Sequence, residues 1–590
     1  QVDLGLALMM FQHARRDARQ GAEDGELVLL PDQDRGRWRG EEIAAEPNVR
    51  YRFSVWLRGA LTAGESRPRV REVAADGSTI RYHGTSLVHP GERDWQRVEV
   101  EFVTGRHVAA LQPYLITANA TGPVWFDEVT LERLPLTPIE DAPGEAVTFA
   151  GSPGSLGMAV ESTERSASGH RIITTGSVWE IDWEAGTITG RQRIGAERTM
   201  ITLSVQPALQ PLVVLRSDET ACILRNPWLE IGVQADGLLV LAPQTATEVR
   251  AEGQVGGEWA QFADGNLQVT DDAGGVCAFP YAPGGSGLVF GCDEPEGDLA
   301  QPGWTAGWSL ERGTLLGVSI YPPREFDWQR SFDWQLAHTG GYPPDAALET
   351  WSRHVKMVTL HESIWAGEQP TPHVGPYVAK EPEELRRVIA TCERLGMKLL
   401  VYMSPHYYVD QRVDAFMAQL ARLREEFGFH GVFYDGVYFT DWVKSYEVMR
   451  LTREAFPGGP IYLHSSKGAP TGGYDLWCPF VDAYADITLR GEGRETTTGD
   501  GYPRYVSAGY RLSNAIGMMK GDRWDVPEEG QLRAMLGYNG RARLMVYPAG
   551  RDGQPVFPGE DGVLQGPWVD VYLPGLQQLR EQWEAGTLER

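Results

Sequence analysis

The chain has 590 residues, a formal net charge of −26, 42% hydrophobic and 23% charged residues. That length exceeds what one hydrophobic core supports, so about two to four domains are expected, and the composition is ordinary for a globular protein. The acidity argues against a nucleic-acid partner, which needs concentrated basic surface. It is compatible with a neutral polymer. The absence of an apolar run of about eighteen residues excludes a membrane-spanning helix.

The chain begins at Gln1 with no basic stretch ahead of an apolar one. The expectation is a mature or trimmed chain, secreted or periplasmic, whose targeting segment lies outside it. Cys222, Cys277, Cys292, Cys392 and Cys478 are too scattered for a disulfide framework or metal cluster. Cys277 and Cys292 flank a Gly/Pro-rich turn and are a candidate pair. Cys392 sits on the apolar face of a helix, where a buried thiol is expected.

Residues 1–140 read as all-β. Tyr51-Arg-Phe-Ser-Val-Trp-Leu and Gln96-Arg-Val-Glu-Val-Glu-Phe alternate as half-buried antiparallel strands do. The segment passes Trp95 and ends on Val124-Trp-Phe-Asp-Glu-Val-Thr-Leu, before the linker Leu134-Pro-Leu-Thr-Pro. This pattern resembles the jelly-roll carbohydrate-binding modules appended to polysaccharide-degrading enzymes. The resemblance implies a sugar platform at Trp38 or Trp56, since sugars stack on flat aromatic faces. It also implies a possible structural calcium with Asp127 among its ligands. Residues 145–345 are again β-rich, with runs at Thr199-Met-Ile-Thr-Leu-Ser-Val, Leu212-Val-Val-Leu, Leu238-Leu-Val-Leu and Leu315-Leu-Gly-Val-Ser-Ile-Tyr. They are expected to form a large β-sandwich scaffold.

From residue 350 to 590 apolar runs alternate with helical patterns, which points to parallel βα units and a (β/α)8 barrel of the TIM type. Pro382 opens a helix carrying Leu385, Val388, Ile389, Cys392 and Leu395, stopped by Gly396; a second runs from Val413 to Phe427 and stops at Gly428. Strands are expected at Lys356-Met-Val-Thr-Leu-His, Lys398-Leu-Leu-Val-Tyr-Met-Ser, Gly431-Val-Phe-Tyr-Asp and Ile461-Tyr-Leu-His. Three more are expected in Tyr484-Ala-Asp-Ile-Thr-Leu-Arg, Ala515-Ile-Gly-Met-Met-Lys and Arg543-Leu-Met-Val-Tyr. One strand is missing from this reading or lies before residue 350. Continuous apolar runs suit parallel strands buried on both faces.

In such folds the site gathers at the C-terminal ends of the strands. The residues there supply a catalytic pair and a substrate shell. Asp435 ends a strand in the frame Phe433-Tyr434-Asp435-Gly436, with a glycine that lets the backbone turn. Glu492, flanked by Gly491 and Gly493, is its best partner, because glycoside hydrolysis usually needs two carboxyl groups. Glu362, Asp486, Asp522 and Asp525 are competing acids, of which Asp486 lies inside a strand. The substrate-binding candidates are His361, Glu362, Tyr402, His406, Tyr434, His464, Arg490, Lys520, Asp522 and Trp524. Arg490 would hold the Glu492 carboxyl down, against the raised value an acid catalyst needs. His406 and His464 with Asp435 are a minor metal alternative, because no short His-x-His or His-x-x-x-His pair stands there. No dinucleotide or phosphate-loop motif is convincing, so no cofactor is expected for catalysis.

The series Leu360-His-Glu-Ser-Ile-Trp, Leu395-Gly-Met-Lys-Leu-Leu-Val-Tyr-Met-Ser-Pro and Gly428-Phe-His-Gly-Val-Phe-Tyr-Asp-Gly resembles the α-galactosidase clan and the endo-α-N-acetylgalactosaminidases. The likeness covers about 230 residues and is one of pattern. It implies a retaining glycosidase on α-linked sugars of a poly- or oligosaccharide, with the nucleophile Asp435 ending the fourth strand and the acid/base Glu492 following the sixth. Two departures are evident: there is no C-terminal β-sandwich and no evident first strand. The alternatives are a non-hydrolytic carbohydrate-binding protein, a polysaccharide lyase using Tyr402, His406 or Tyr434, and a β-glycosidase.

Overall fold

The computed structural model describes residues 27–29, 35–45, 50–75, 77, 79–84, 91–104, 108–134, 156–206, 209–263, 265–281, 292–310, 312–366, 377–405, 413–437, 442–464, 477–490, 502–519, 529–546 and 567–588. The described residues are richer in strand than in helix, 46% against 24%, arranged in several sheets.

The N-terminal strands form two antiparallel sheets. One runs in the order Leu27–Leu29, Val124–Arg133, Arg50–Leu61, Gly91–Val103. The other runs Arg35–Arg39, Val108–Thr121, Ala63–Ala74, Thr79–Gly84, with Ile43–Ala44 also paired to Val108–Thr121. Along Arg50–Leu61 the apolar residues Phe53, Val55 and Leu57 turn inward and are fully buried with Leu111, Leu115 and Phe126. Arg52, Trp56 and Arg58 alternate outward, the period-two pattern of a sheet with one wet face.

Residues Val160 to Tyr321 form two eight-stranded antiparallel sheets. Between them lie the fully buried Trp179, Ile231, Leu241, Trp304, Trp308 and Val318. The indole N–H groups find carbonyl acceptors, Trp304 at Val255 (2.8 Å) and Trp308 at Gly265 (2.9 Å), as buried tryptophans require. Trp304 also needs Gly253, where a Cβ would lie 1.8 Å from its ring. Cys277 is buried in one of these sheets and Cys292 opens a strand of the other; neither forms a disulfide, so the candidate pair does not form.

The second of these sheets is buried on its outer face too. Helices Trp442–Ala455 and Pro479–Asp482 cover it, with Phe279 against Phe480 (5.8 Å between ring centroids) and the Trp442 indole donating to the Pro280 carbonyl (3.0 Å). This explains why Leu229–Gln234 and Leu315–Tyr321 are buried at every position.

The remaining sheet is parallel. Its eight strands are Leu336–Thr339, Met357–Leu360, Lys398–Met403, Gly431–Asp435, Ile461–His464, Ile487–Arg490, Ile516–Met519 and Leu544–Val546, first to eighth in chain order. The strand missing from the sequence reading is thus the first, just before residue 350. The ladder runs 7-6-5-4-3-2-1-8, and this corrects the expected (β/α)8 barrel. Among the described residues, the two ends of the ladder meet only at an isolated bridge from Met518 of the seventh strand to Arg541, ahead of the eighth, and the one helix described between the fifth and sixth strands, Pro479–Asp482, is a single turn. The described residues form an open, half-barrel parallel sheet.

Candidate active site

Each strand end carries two faces, and backbone alternation decides which residues share the concave one. On the fourth strand, Val432 and Tyr434 point to the helix layer, and the Tyr434 hydroxyl bonds Thr452 Oγ1 at 2.7 Å. Phe433 and Asp435 point the other way. Gly431 is required at the start, because a Cβ there would lie 2.1 Å from the Pro460 carbonyl oxygen. Gly436 turns the chain with φ +77°, a conformation glycine adopts without strain.

Asp435 is the centre of the arrangement. Its Oδ1 is 2.8 Å from His464 Nδ1, its Oδ2 accepts the Tyr402 hydroxyl at 3.2 Å, and its carbonyl accepts the Ser404 hydroxyl at 2.5 Å. Parallel pairing sets Asp435 directly beside His464. The Asp435 side chain is 21% exposed and that of His464 8%, so the carboxylate faces the opening while its partners are covered. With Asp435 ionised, His464 carries its proton on Nδ1 and presents Nε2 on the far side of the ring. The third strand is braced behind them: the Trp365 indole donates to the Tyr402 carbonyl and the Ser404 N–H to the Tyr377 hydroxyl, both at 2.7 Å.

Below the carboxylate lies an aromatic floor. Phe433 packs against Tyr462 (4.4 Å between ring centroids) and meets His338 edge to face (5.0 Å), and His361 sits 4.9 Å from both His338 and Tyr402. Arg543 donates to the Tyr462 hydroxyl (2.9 Å) and lies 3.3 Å from His338 Nδ1. All are buried. Glu362 contacts the His361 ring at the rim.

The structure therefore brings together Asp435, His464, Tyr402, His361 and Glu362. Two candidates are corrected. Tyr434 is fully buried on the helix side, where desolvation pushes its phenol well above the ordinary value. Arg490 is 2% exposed, paired with Asp482, and its guanidinium packs over Trp477 and Tyr510. It faces the helices, and Leu489 takes the inward position beside His464. Asp486, a competing acid, is 2% exposed and bound by Arg453 (2.5 Å) and Arg330 (2.8 Å). Glu492, His406, Lys520, Asp522, Trp524 and Asp525 lie outside the described residues. His338, Tyr462 and Arg543 were missed. Two-residue periodicity was the available signal for Tyr462, which stands two before His464 as Phe433 stands two before Asp435.

Among the described residues no group of three or more His, Cys, Asp or Glu side chains converges as a metal site. Asp127 Oδ1 accepts the backbone N–H of Glu128 at 2.8 Å. Trp56 is 36% exposed, on the outer face of its sheet.

A family described as "Family of unknown function (DUF6596)" matches residues 4–49. No curated protein matches. Among solved structures, a GH18 chitinase from Pseudoalteromonas aurantia is similar at 11% identity over 36% of this chain and 92% of that one, TM-score 0.25. Uncharacterized protein lmo2446 from Listeria monocytogenes EGD-e is similar at 9% identity over 93% of this chain, TM-score 0.35; the match spans 63% of that protein, under two thirds of its length. The structure "Family 16 Carbohydrate Binding Module-2" is similar at 16% identity over 19% of this chain and 78% of that one, TM-score 0.16. Likenesses this distant carry no argument about this chain's activity.

Proposed function

We propose that the chain is a secreted or periplasmic glycoside hydrolase acting on a poly- or oligosaccharide, with Asp435 as nucleophile. The observation that carries this reading is the aimed carboxylate: Asp435 stands at the mouth of a parallel sheet, held on one oxygen by His464 and on the other by Tyr402. Both donors stabilise the ionised form, and a nucleophile must be ionised. The aromatic floor beneath it is buried and packs together the strand ends that carry the carboxylate.

In the first step an Asp435 oxygen attacks the anomeric carbon as the glycosidic bond breaks, and Glu492 protonates the departing oxygen. In the second, Glu492 takes a proton from water, which displaces Asp435 and releases the sugar. The two carboxyl groups need to approach to about 5–5.5 Å for this retaining course. Glu492 follows the sixth strand by two residues in the sequence. Asp435 ends the fourth strand, the nucleophile position in the families the sequence resembles, which favours α-linked substrates.

The test is turnover by wild type, Asp435→Asn and Glu492→Gln on α- and β-linked aryl glycosides and polysaccharides, with circular dichroism to confirm folding. Each variant is expected to lose about a hundredfold or more in kcat. Azide is expected to rescue Asp435→Ala as a glycosyl azide. Normal turnover in both variants overturns the proposal.

The same hydrogen bond supports a second reading, in which Asp435 orients His464 as a general base for polysaccharide lysis, assisted by Tyr402. Products with an unsaturated uronate end, detected by their ultraviolet absorbance, would select it over hydrolysis.

A further inference from the structure

The outer face of the sheet built on Val108–Thr121 is rich in arginine, in a chain whose formal net charge is −26. Two strands flank Val108–Thr121, and both place arginine at every second position: Arg35-Gly-Arg-Trp-Arg and Arg67-Pro-Arg-Val-Arg. Strand register brings Arg39 and Arg69 to either side of Tyr114, and Arg37 and Arg67 to either side of Ile116. On the next strand Tyr82 lies beside Arg71.

The described side chains form a compact array. The Arg39 guanidinium lies 5.1 Å from the Tyr114 ring centroid, that of Arg69 5.7 Å from Tyr82, and the two rings meet edge to face at 5.8 Å. Tyr82 is 46% exposed, and Arg39 is exposed beside it. Arg71 is the brace of the array. It donates to Thr79 Oγ1 and the Gly77 carbonyl, both at 2.7 Å, and to Gln112 Oε1 at 3.2 Å, with Glu42 at 3.8 Å. Gln112 in turn donates to the Gly40 carbonyl at 3.0 Å. Glu72, the acid that follows Arg71 in sequence, faces inward and pairs with His83 at 2.9 Å, so it does not face the patch.

We propose that this face binds an acidic polysaccharide. Guanidinium forks take carboxylate or sulfate groups in a bidentate manner, and an exposed tyrosine offers an apolar face to a sugar ring. The inference rests on the reading that the protein acts on carbohydrate, and it changes the ligand from a neutral polymer to an anionic one. A nucleic acid would have to approach an otherwise strongly acidic molecule, which favours the glycan.

The test is titration of the full chain with polygalacturonate, alginate, dextran sulfate, a neutral xylan and duplex DNA, each at low and high salt. Wild type is expected to bind an acidic glycan in a salt-sensitive way, the uronate and sulfate arms identifying the acid group. Arg39→Gln/Arg69→Gln and Tyr82→Ala are expected to weaken that binding by about tenfold or more, as loss of charged hydrogen bonds implies. Arg52→Gln/Arg97→Gln, an equal charge change on the other sheet, is expected to leave it unchanged. Equal binding by the first two variants overturns the proposal. Preference for xylan overturns it while leaving the carbohydrate reading standing. Preference for DNA overturns it in favour of nucleic acid, and failure to bind any glycan removes both readings for this unit.

Discussion

Replacing Tyr446 with Phe isolates one of the contacts that fasten the central sandwich to the helices of the parallel sheet. Asp236 lies in the turn between two strands of the sandwich, 1% exposed. Its Oδ1 accepts the Leu238 N–H at 2.9 Å, and its Oδ2 accepts the hydroxyl of Tyr446, 210 residues away, at 2.7 Å. Phenylalanine keeps the ring and its packing, so the change removes one hydrogen bond to a buried carboxylate, about 1.5–3 kcal/mol. Burial raises the Asp236 carboxyl above its ordinary range, while the bonds from Leu238 and Tyr446 oppose that rise. A raised folded value means that the native state holds a proton the unfolded chain has released. The associated stability is complete below the unfolded value near 3.9 and is lost as pH rises through the folded one. Removing Tyr446 raises the folded value further. The deficit of Tyr446→Phe is therefore expected to be greatest above the folded value, where Asp236 is ionised, and to shrink as pH falls through it and Asp236 takes up its proton. Urea unfolding of both proteins across a pH series, followed by tryptophan fluorescence and calorimetry, measures this. A variant as stable as wild type at every pH, or a deficit that does not change with pH, refutes the reasoning.

Arg453→Met is expected to cost about 3 kcal/mol in the same unfolding assay, because it leaves Asp486 buried with one guanidinium fewer. Gly253→Ala is expected to destabilise by about 1–3 kcal/mol or more, since its methyl group would occupy the space of the Trp304 ring; an unchanged melting temperature would contradict that packing. Arg490→Lys is expected to lower the melting temperature through its pairing with Asp482 while leaving kcat per folded molecule unchanged. Loss of kcat with full stability would place Arg490 in the site after all.

The helices Pro382–Arg394 and Val413–Phe427 were legible because their stop signals are physical. Gly396 and Gly428 both take positive φ, +68° and +77°, which few other residues adopt cheaply. The first parallel strand escaped notice because Leu336–Thr339 is four residues long and half polar. A strand buried on both faces loses the alternation that reveals direction, so Asp435 could be placed at a strand end but Tyr434 and Arg490 could not be assigned a side. Nor could sequence pattern say how far the parallel sheet closes, which depends on the pairing between its seventh and eighth strands. The Asp236–Tyr446 contact joins a turn to a helix of unrelated pattern and leaves no trace in either.

That contact also bears on how Asp435 is held. The helix Trp442–Ala455 follows the fourth strand; its Tyr446 reaches Asp236 in the sandwich, and its Thr452 holds the Tyr434 hydroxyl. Tyr434 is the residue before Asp435, on the opposite face of the same strand. The sandwich thus backs the helix, the helix backs the strand, and the strand end presents the carboxylate to His464 and Tyr402. A site needing sub-ångström placement of its acid group gains from support of this kind. It follows that the central sandwich, although it contributes none of the residues gathered around Asp435, belongs to the smallest piece of this chain expected to keep an aimed Asp435.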